Sequence, residues 1–154
     1  MASAVARLDR SVRAAEALVA GTGVLAVTAS VLWGVLTRYV SHQPASWTGE
    51  VAAIAFCWSC LVGASWIYGS GHPRIFEPAA VPGAALRRLL ATGAALIEAF
   101  VLVAVLYLSL RQMSVNFDNP TPILRLPVSI YYLPLAWFAA AALSRLALAG
   151  RPWT

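Results

Sequence analysis

The chain contains only two cysteines, Cys57 and Cys60, and they are separated by two residues. A C-x-x-C spacing occurs in thiol–disulfide oxidoreductases, and with two further ligands it forms a zinc site. The thiolate is both the reactive species and the metal ligand, and it is favoured beside cations and at helix N-termini. What this pair can do therefore depends on the element that carries it.

The composition is that of a membrane protein. The chain is 60% hydrophobic and 11% charged, whereas soluble domains contain about 25% charged residues. All eleven basic residues are arginines, the net charge is +5, and the arginines flank apolar runs. This pattern favours membrane orientation over a nucleic-acid-binding face. The length predicts a single domain over residues 1–154.

Four apolar segments are long enough to cross a bilayer, which takes about 20 residues. They are 17–37, 48–68, 89–110 and 128–149. Backbone groups inside lipid must be paired within the chain, so we predict an all-α membrane protein with four transmembrane helices. The first apolar run is longer than that of a signal peptide, so we expect an uncleaved span. We expect an amphipathic surface segment between spans two and three, and a turn-rich loop between spans three and four.

The arginines also predict the orientation. With the N-terminus inside, eight arginines fall on the inner side, and three fall on the outer side, namely Arg38, Arg111 and Arg125. Cytoplasmic connections carry the excess of basic residues. We therefore predict that both termini are cytoplasmic.

These spans place the cysteine pair near the middle of a helix, roughly 13–20 Å from its start in a hydrocarbon core about 30 Å thick. A membrane thiol oxidase needs a second cysteine pair, and zinc needs two more ligands. His42 and His72 fall in connections on opposite sides of the membrane, which does not suit haem ligation. We predict no catalytic residue, metal or cofactor, and a packing role for Cys57 and Cys60. A quinone-linked thiol oxidoreductase that uses them stays an alternative.

Three polar side chains deserve separate predictions. Arg38 ends the first span and Glu50 begins the second, so a short hairpin would let them form an ion pair at the outer interface. Separate roles, with Arg38 at the headgroups and Glu50 at a helix N-terminus, are the alternative. Glu98 lies within the third span, where a carboxylate is a functional candidate. It could serve a self-contained four-span carrier, or be protonated and bonded to a hydroxyl such as that of Ser59 or Ser30.

Small residues recur at four-residue spacing on three spans, which lets helix backbones approach closely. Packing inside the protein and packing against a second subunit both fit this spacing. The residues are Ala26, Ser30 and Gly34, then Ala55, Ser59 and Gly63, then Ala91, Ala95 and Ala99.

The segment "TRYVSHQPASWTGEVAAIAFCWSCLVGASWIYGSGHPR" resembles the small permease subunit, DctQ type, of tripartite ATP-independent periplasmic (TRAP) transporters. "LPVSIYYLPLAWF", near the end, is similar to the start of that family's fourth span. Gly49 departs from the family pattern, in which two acidic residues follow the tryptophan. The matching residues are Arg38-Tyr39-Val40, Trp47, Glu50, Trp58, Gly63-Ala64 and Gly71-His72.

This resemblance implies a transporter subunit of the bacterial inner membrane and not an enzyme. Such transporters take up carboxylates, often with sodium, by using a periplasmic substrate-binding protein (P). A large permease subunit (M) holds the substrate and ion sites, and the small subunit packs on its fixed scaffold within the membrane lipids. By position in the motif, the resemblance implies Arg38, Trp47, Glu50, Trp58 and Gly63 as candidate interface residues.

Overall fold

The computed structural model describes residues 2–69 and 83–149. It contains four helices: α1 (Ala2–Tyr39), α2 (Trp47–Gly69), α3 (Ala84–Val115) and α4 (Ser129–Ala149). Each helix is long and apolar enough to cross a membrane, and no β-strand forms within the described ranges. The predicted all-α, four-span architecture is confirmed. Most of the predicted amphipathic segment lies outside the described residues.

Two helices are longer than the spans predicted from apolar runs. α1 has 38 residues, because its polar first turns are rich in alanine and arginine, which are strong helix formers. α3 has 32 residues and begins directly after Gly83, whose φ of 102° lies in a region that a residue with a Cβ rarely adopts. Helix propensity thus extends both helices past their apolar segments.

The helices run alternately in opposite directions and leave two ends. We call the end where α1 and α3 begin the terminal end, and the end with the connections 40–46 and 116–128 the loop end. α1 packs on α2, α2 on α4, and α4 on α3, whereas α1 and α3 do not pack together within the described helices. The helices therefore form an open array and not a closed four-helix ring.

The two hairpins are shifted along the helix axes. Trp58, the twelfth residue of α2, contacts Ile130, the second residue of α4. At the other end, Tyr68 next to the end of α2 contacts Glu98, the fifteenth residue of α3. Allowing for the tryptophan side chain, the α3–α4 hairpin is displaced roughly 10 Å toward the terminal end. We refer to this displacement as the stagger.

Small residues bring α1 and α2 into close contact. Gly23 lies against Ser59, whose hydroxyl donates a 2.7 Å hydrogen bond to the Ala20 carbonyl. Near the loop end, Gly34 lies against the hydroxyl of Thr48. The small faces of the first two spans thus pack inside the protein, as one of the two sequence interpretations proposed.

We expect Gly23→Ala to destabilise the α1–α2 hairpin. An added Cβ would lie 2.9 Å from the Ser59 Cβ and 3.2 Å from the Ala55 carbonyl oxygen, and overpacking of this kind costs about 1–3 kcal/mol. Gly21→Ala is the matched control, because its Cβ meets nothing within 4 Å and alanine favours the helix. Thermal unfolding in detergent measures both variants. Equal melting temperatures for the two would contradict this packing.

Candidate functional site

The cysteine pair lies in the middle of α2, as predicted. Both thiols are free; Cys57 is half-buried and Cys60 is exposed. No group of three or more histidine, cysteine or acidic side chains is arranged to hold a metal in the ranges 2–69 and 83–149. The polar contacts that link the helices are made by other residues.

Glu16 on α1 is the centre of a buried polar group that links helices. It is 2% exposed. Its Oε1 accepts hydrogen bonds from the Ser65 hydroxyl of α2 at 2.7 Å and from the Trp137 indole of α4 at 3.2 Å. Its Oε2 pairs with the Arg145 guanidinium of α4 at 2.7 Å. One carboxylate therefore joins three helices, two of which, α1 and α4, meet through long side chains.

Two arginines complete this group at the terminal end. Arg145 Nη1 donates to the carbonyl and the hydroxyl of Ser65, and its Nε lies 3.5 Å from Asp9. Arg13 pairs with Asp9 at 2.9 Å and donates to the Gly69 carbonyl at 3.0 Å. Cations are favourable beside the carbonyls that end a helix, here α2. We call Asp9, Arg13, Glu16 and Arg145 the ionic cluster; its formal charges cancel.

No prediction from the sequence covers the ionic cluster. Arg13 and Arg145 are among the eight inner arginines that predict the orientation, and no role is predicted for Asp9 or Glu16. A signal was present, because Arg145 lies inside the predicted span 128–149 and a charge at that depth needs a partner. The acidic residues at the start of α1 were available for that role.

Trp58 links α2 to α4 at a position where a backbone hydrogen bond of α4 is missing. Pro134 lies inside that helix and has no N–H to donate to the carbonyl of Ile130, four residues earlier. The Trp58 indole donates to the Ile130 carbonyl at 3.2 Å. In lipid no water replaces a missing partner, so the indole supplies the donor that proline removes.

Glu50 holds the loop between α3 and α4. Its Oε2 accepts a 2.6 Å hydrogen bond from the backbone N–H of Leu124. The loop is also braced internally, since Thr121 is buried and exchanges hydrogen bonds with the backbone of Leu126. The expected turn-rich loop is present.

The predicted Arg38–Glu50 ion pair is wrong. The two side chains form no ion pair within 4.0 Å, because Glu50 turns toward the loop that the stagger brings over it.

Glu98 is bonded to a hydroxyl, but not to either of the two predicted. Its Oε1 accepts a 2.7 Å hydrogen bond from Tyr68. Ser59 instead donates to the Ala20 carbonyl. The prediction assumed that the spans begin at the same depth, whereas the stagger brings Glu98 level with the last turn of α2.

The family model "Tripartite ATP-independent periplasmic transporters, DctQ component" matches residues 27–151, most of the chain. The chain belongs to the DctQ family. This DctQ-type protein is therefore a small permease subunit of a TRAP transporter, a multi-pass membrane protein and a transporter component. Comparison with curated proteins gives no significant match.

The family match covers only some of the residues that make the polar contacts of this DctQ-type subunit. Trp58, Glu50 and Pro134 fall within the matched range, whereas Asp9, Arg13 and Glu16 precede it. The acidic half of the ionic cluster is thus a feature of this chain that the family match does not cover.

The five candidate interface residues of this DctQ-type subunit divide into two groups. Glu50 and Trp58 form hydrogen bonds with other parts of the same chain. Gly63 faces α1, since a Cβ added to it would lie 3.5 Å from the Cβ of Ala20. Arg38 and Trp47 are exposed. Contact with a partner stays a prediction for all five.

Large apolar side chains cover the outside of the DctQ-type subunit, whereas most of the buried side chains are small or polar. Lipid is as apolar as these side chains, so their exposure suits a membrane as well as a partner helix. On α1 an exposed stripe follows a seven-residue spacing, and α3 has a similar one. The stripes comprise Leu18, Leu25, Leu32 and Tyr39 on α1, and Leu89, Leu96, Phe100, Val103, Tyr107 and Leu110 on α3.

Proposed function

We propose that this subunit packs on the large permease subunit as part of its fixed scaffold and anchors it in the bilayer. The assembled transporter takes up a carboxylate substrate that a periplasmic binding protein delivers, and sodium drives the uptake. Membership of the DctQ family supports an association with both partners. The small subunit itself binds neither the substrate nor the ion.

One observation supports a small subunit that acts as a scaffold and leaves binding of the substrate and the ion to the large subunit. The four acidic side chains on the described helices are all used in contacts inside the chain: Asp9 and Glu16 in the ionic cluster, Glu50 at the loop and Glu98 with Tyr68. A carrier site needs polar groups that converge on an open cavity and discontinuous helices beside it. These carboxylates instead brace continuous helices, as a scaffold requires.

We further propose that the chain lies in the bacterial inner membrane with the terminal end in the cytoplasm. In the described ranges, six arginines lie in the terminal half and three, Arg38, Arg111 and Arg125, at the loop end. Arg74 and Arg151 extend the bias in the same direction, which is that of cytoplasmic connections. Reporter fusions after Ala149 and within the 116–128 loop test this orientation. Periplasmic activity of the fusion at Ala149 would contradict it.

The test of the scaffold role is reconstitution. Tagged subunit purified from membranes that contain the large permease subunit should retain that partner. Vesicles with both subunits and the binding protein should show uptake that depends on a sodium gradient, and vesicles with the small subunit alone should show none. Coupled uptake by the small subunit alone would refute the proposal.

Glu98→Gln separates the scaffold from a self-contained carrier. Glutamine keeps the oxygen that accepts the Tyr68 hydrogen bond and removes the ionisable group. We expect uptake by the complete transporter to stay within about twofold of the unaltered rate, because the amide keeps the hydrogen bond, whose net contribution is roughly 0.5–1.5 kcal/mol, and the scaffold role needs no ionisable group at this position. Loss of coupled uptake, with the complex still assembled, would favour the carrier. Tyr68→Phe, which removes only the hydroxyl, is the matched control.

A further inference from the structure

We propose that the first two turns of α3 bind the headgroups of anionic phospholipids through Arg87 and Arg88. This inference goes beyond the proposed scaffold function, since it concerns the lipid and not the protein partner.

The position of the two arginines fits the boundary of a bilayer. They directly precede the apolar run 89–110, and Arg111 follows it. That run has a length of about 33 Å, close to the thickness of a hydrocarbon core. The arginines therefore lie at the depth of the lipid phosphates.

The charge of the two arginines is not balanced by the described parts of the chain. Both are exposed, and neither forms an ion pair within 4.0 Å in the ranges 2–69 and 83–149. The described acidic groups at this end are already bound, Asp9 and Glu16 within the ionic cluster and Glu98 by Tyr68. In the segment that precedes α3, the charges of Arg74 and Glu77 cancel in the sequence. The excess positive charge is thus available for an external anion.

The apolar neighbours of these arginines select a lipid over a soluble anion. Leu86, Leu89 and Leu90 are all exposed on the same two turns. Acyl chains cover such side chains, while guanidinium groups bind phosphate oxygens through paired hydrogen bonds. The combination matches the two parts of an anionic phospholipid and neither free phosphate nor a nucleic acid.

Lipid titration of the purified full chain in detergent, followed by native mass spectrometry, tests this inference. Phosphatidylglycerol should bind in preference to phosphatidylcholine. Arg87→Gln with Arg88→Gln should weaken phosphatidylglycerol binding about 30-fold. Arg111→Gln, on the same helix at the loop end, is the matched control and should leave that binding within about threefold.

Two further measurements on the unaltered chain test the inference even if the double variant does not fold. Higher sodium chloride concentrations should weaken phosphatidylglycerol binding to the unaltered chain and leave phosphatidylcholine binding unchanged. Inorganic phosphate should not displace phosphatidylglycerol at equal concentration, because it lacks the acyl chains. Equal binding of the two lipids, an equal loss in the Arg111 variant, or displacement by phosphate would each overturn the proposal.

Discussion

Glu16→Ala will leave the Arg145 guanidinium buried without its carboxylate partner, and we expect it to be the most damaging single substitution in the chain. The Arg145 side chain is 13% exposed and Glu16 is 2% exposed. Removal of one partner of a buried ion pair typically costs about 3–5 kcal/mol, because the remaining charge is uncompensated. Asp9 at 3.5 Å supplies only part of the lost interaction. Expression of monodisperse protein and its melting temperature in detergent measure the effect.

The paired substitution gives this prediction its sharpest form. Glu16→Leu with Arg145→Met removes both charges, and apolar replacement of a buried pair is often close to neutral. We expect the double variant to be more stable than Glu16→Ala alone. The control is Arg111→Met, which removes an exposed arginine at the other end. Additive losses in the double variant would show that the two side chains act independently.

Trp58→Phe is the second substitution with a large expected effect. Phenylalanine keeps most of the packing and removes the N–H that the Ile130 carbonyl accepts. A buried acceptor left without a donor costs about 1–3 kcal/mol. We expect a melting temperature several degrees lower and weaker docking of α4 on α2.

Pro134 determines how much this bond matters, which makes a double-mutant cycle informative. Pro134→Ala restores a backbone N–H that can donate to the Ile130 carbonyl. In that background Trp58→Phe should cost less than about half of what it costs in the original chain. Trp66→Phe, at an exposed tryptophan of the same helix, is the matched control. An undiminished cost of Trp58→Phe in the Pro134→Ala background would show that α4 does not depend on the indole donor.

The number and positions of the helices could be predicted because they depend on local properties. Apolar runs bounded by arginine, proline and glycine predict spans one at a time, and each predicted span falls within a helix or within one residue of it. The extensions of α1 and α3 depend on propensity in polar turns, which an apolar criterion does not detect.

The polar contacts could not be predicted, because they depend on how the hairpins are placed relative to one another. Glu16 and Arg145 are 129 residues apart. The depth of Arg145 indicates that it needs a partner, but nothing local indicates that α4 approaches α1 and supplies Glu16. The predicted Arg38–Glu50 pair rested on sequence proximity. The hydrogen bond from Tyr68 to Glu98 required the stagger, since helices aligned at equal depth would keep these side chains apart.

The stagger also constrains the angle at which the subunit lies in the bilayer. The apolar stretches of the two hairpins are offset by roughly 10 Å, yet both must fit one hydrocarbon slab about 30 Å thick. Upright helices would push polar residues of one hairpin into the slab and apolar residues of the other out of it. Leaning of the whole array, within the 0–40° that membrane helices adopt, removes this hydrophobic mismatch. A subunit that leans in this way presents tilted helices to its neighbours, so a protein that packs along them would have to lie at a matching angle to the membrane normal.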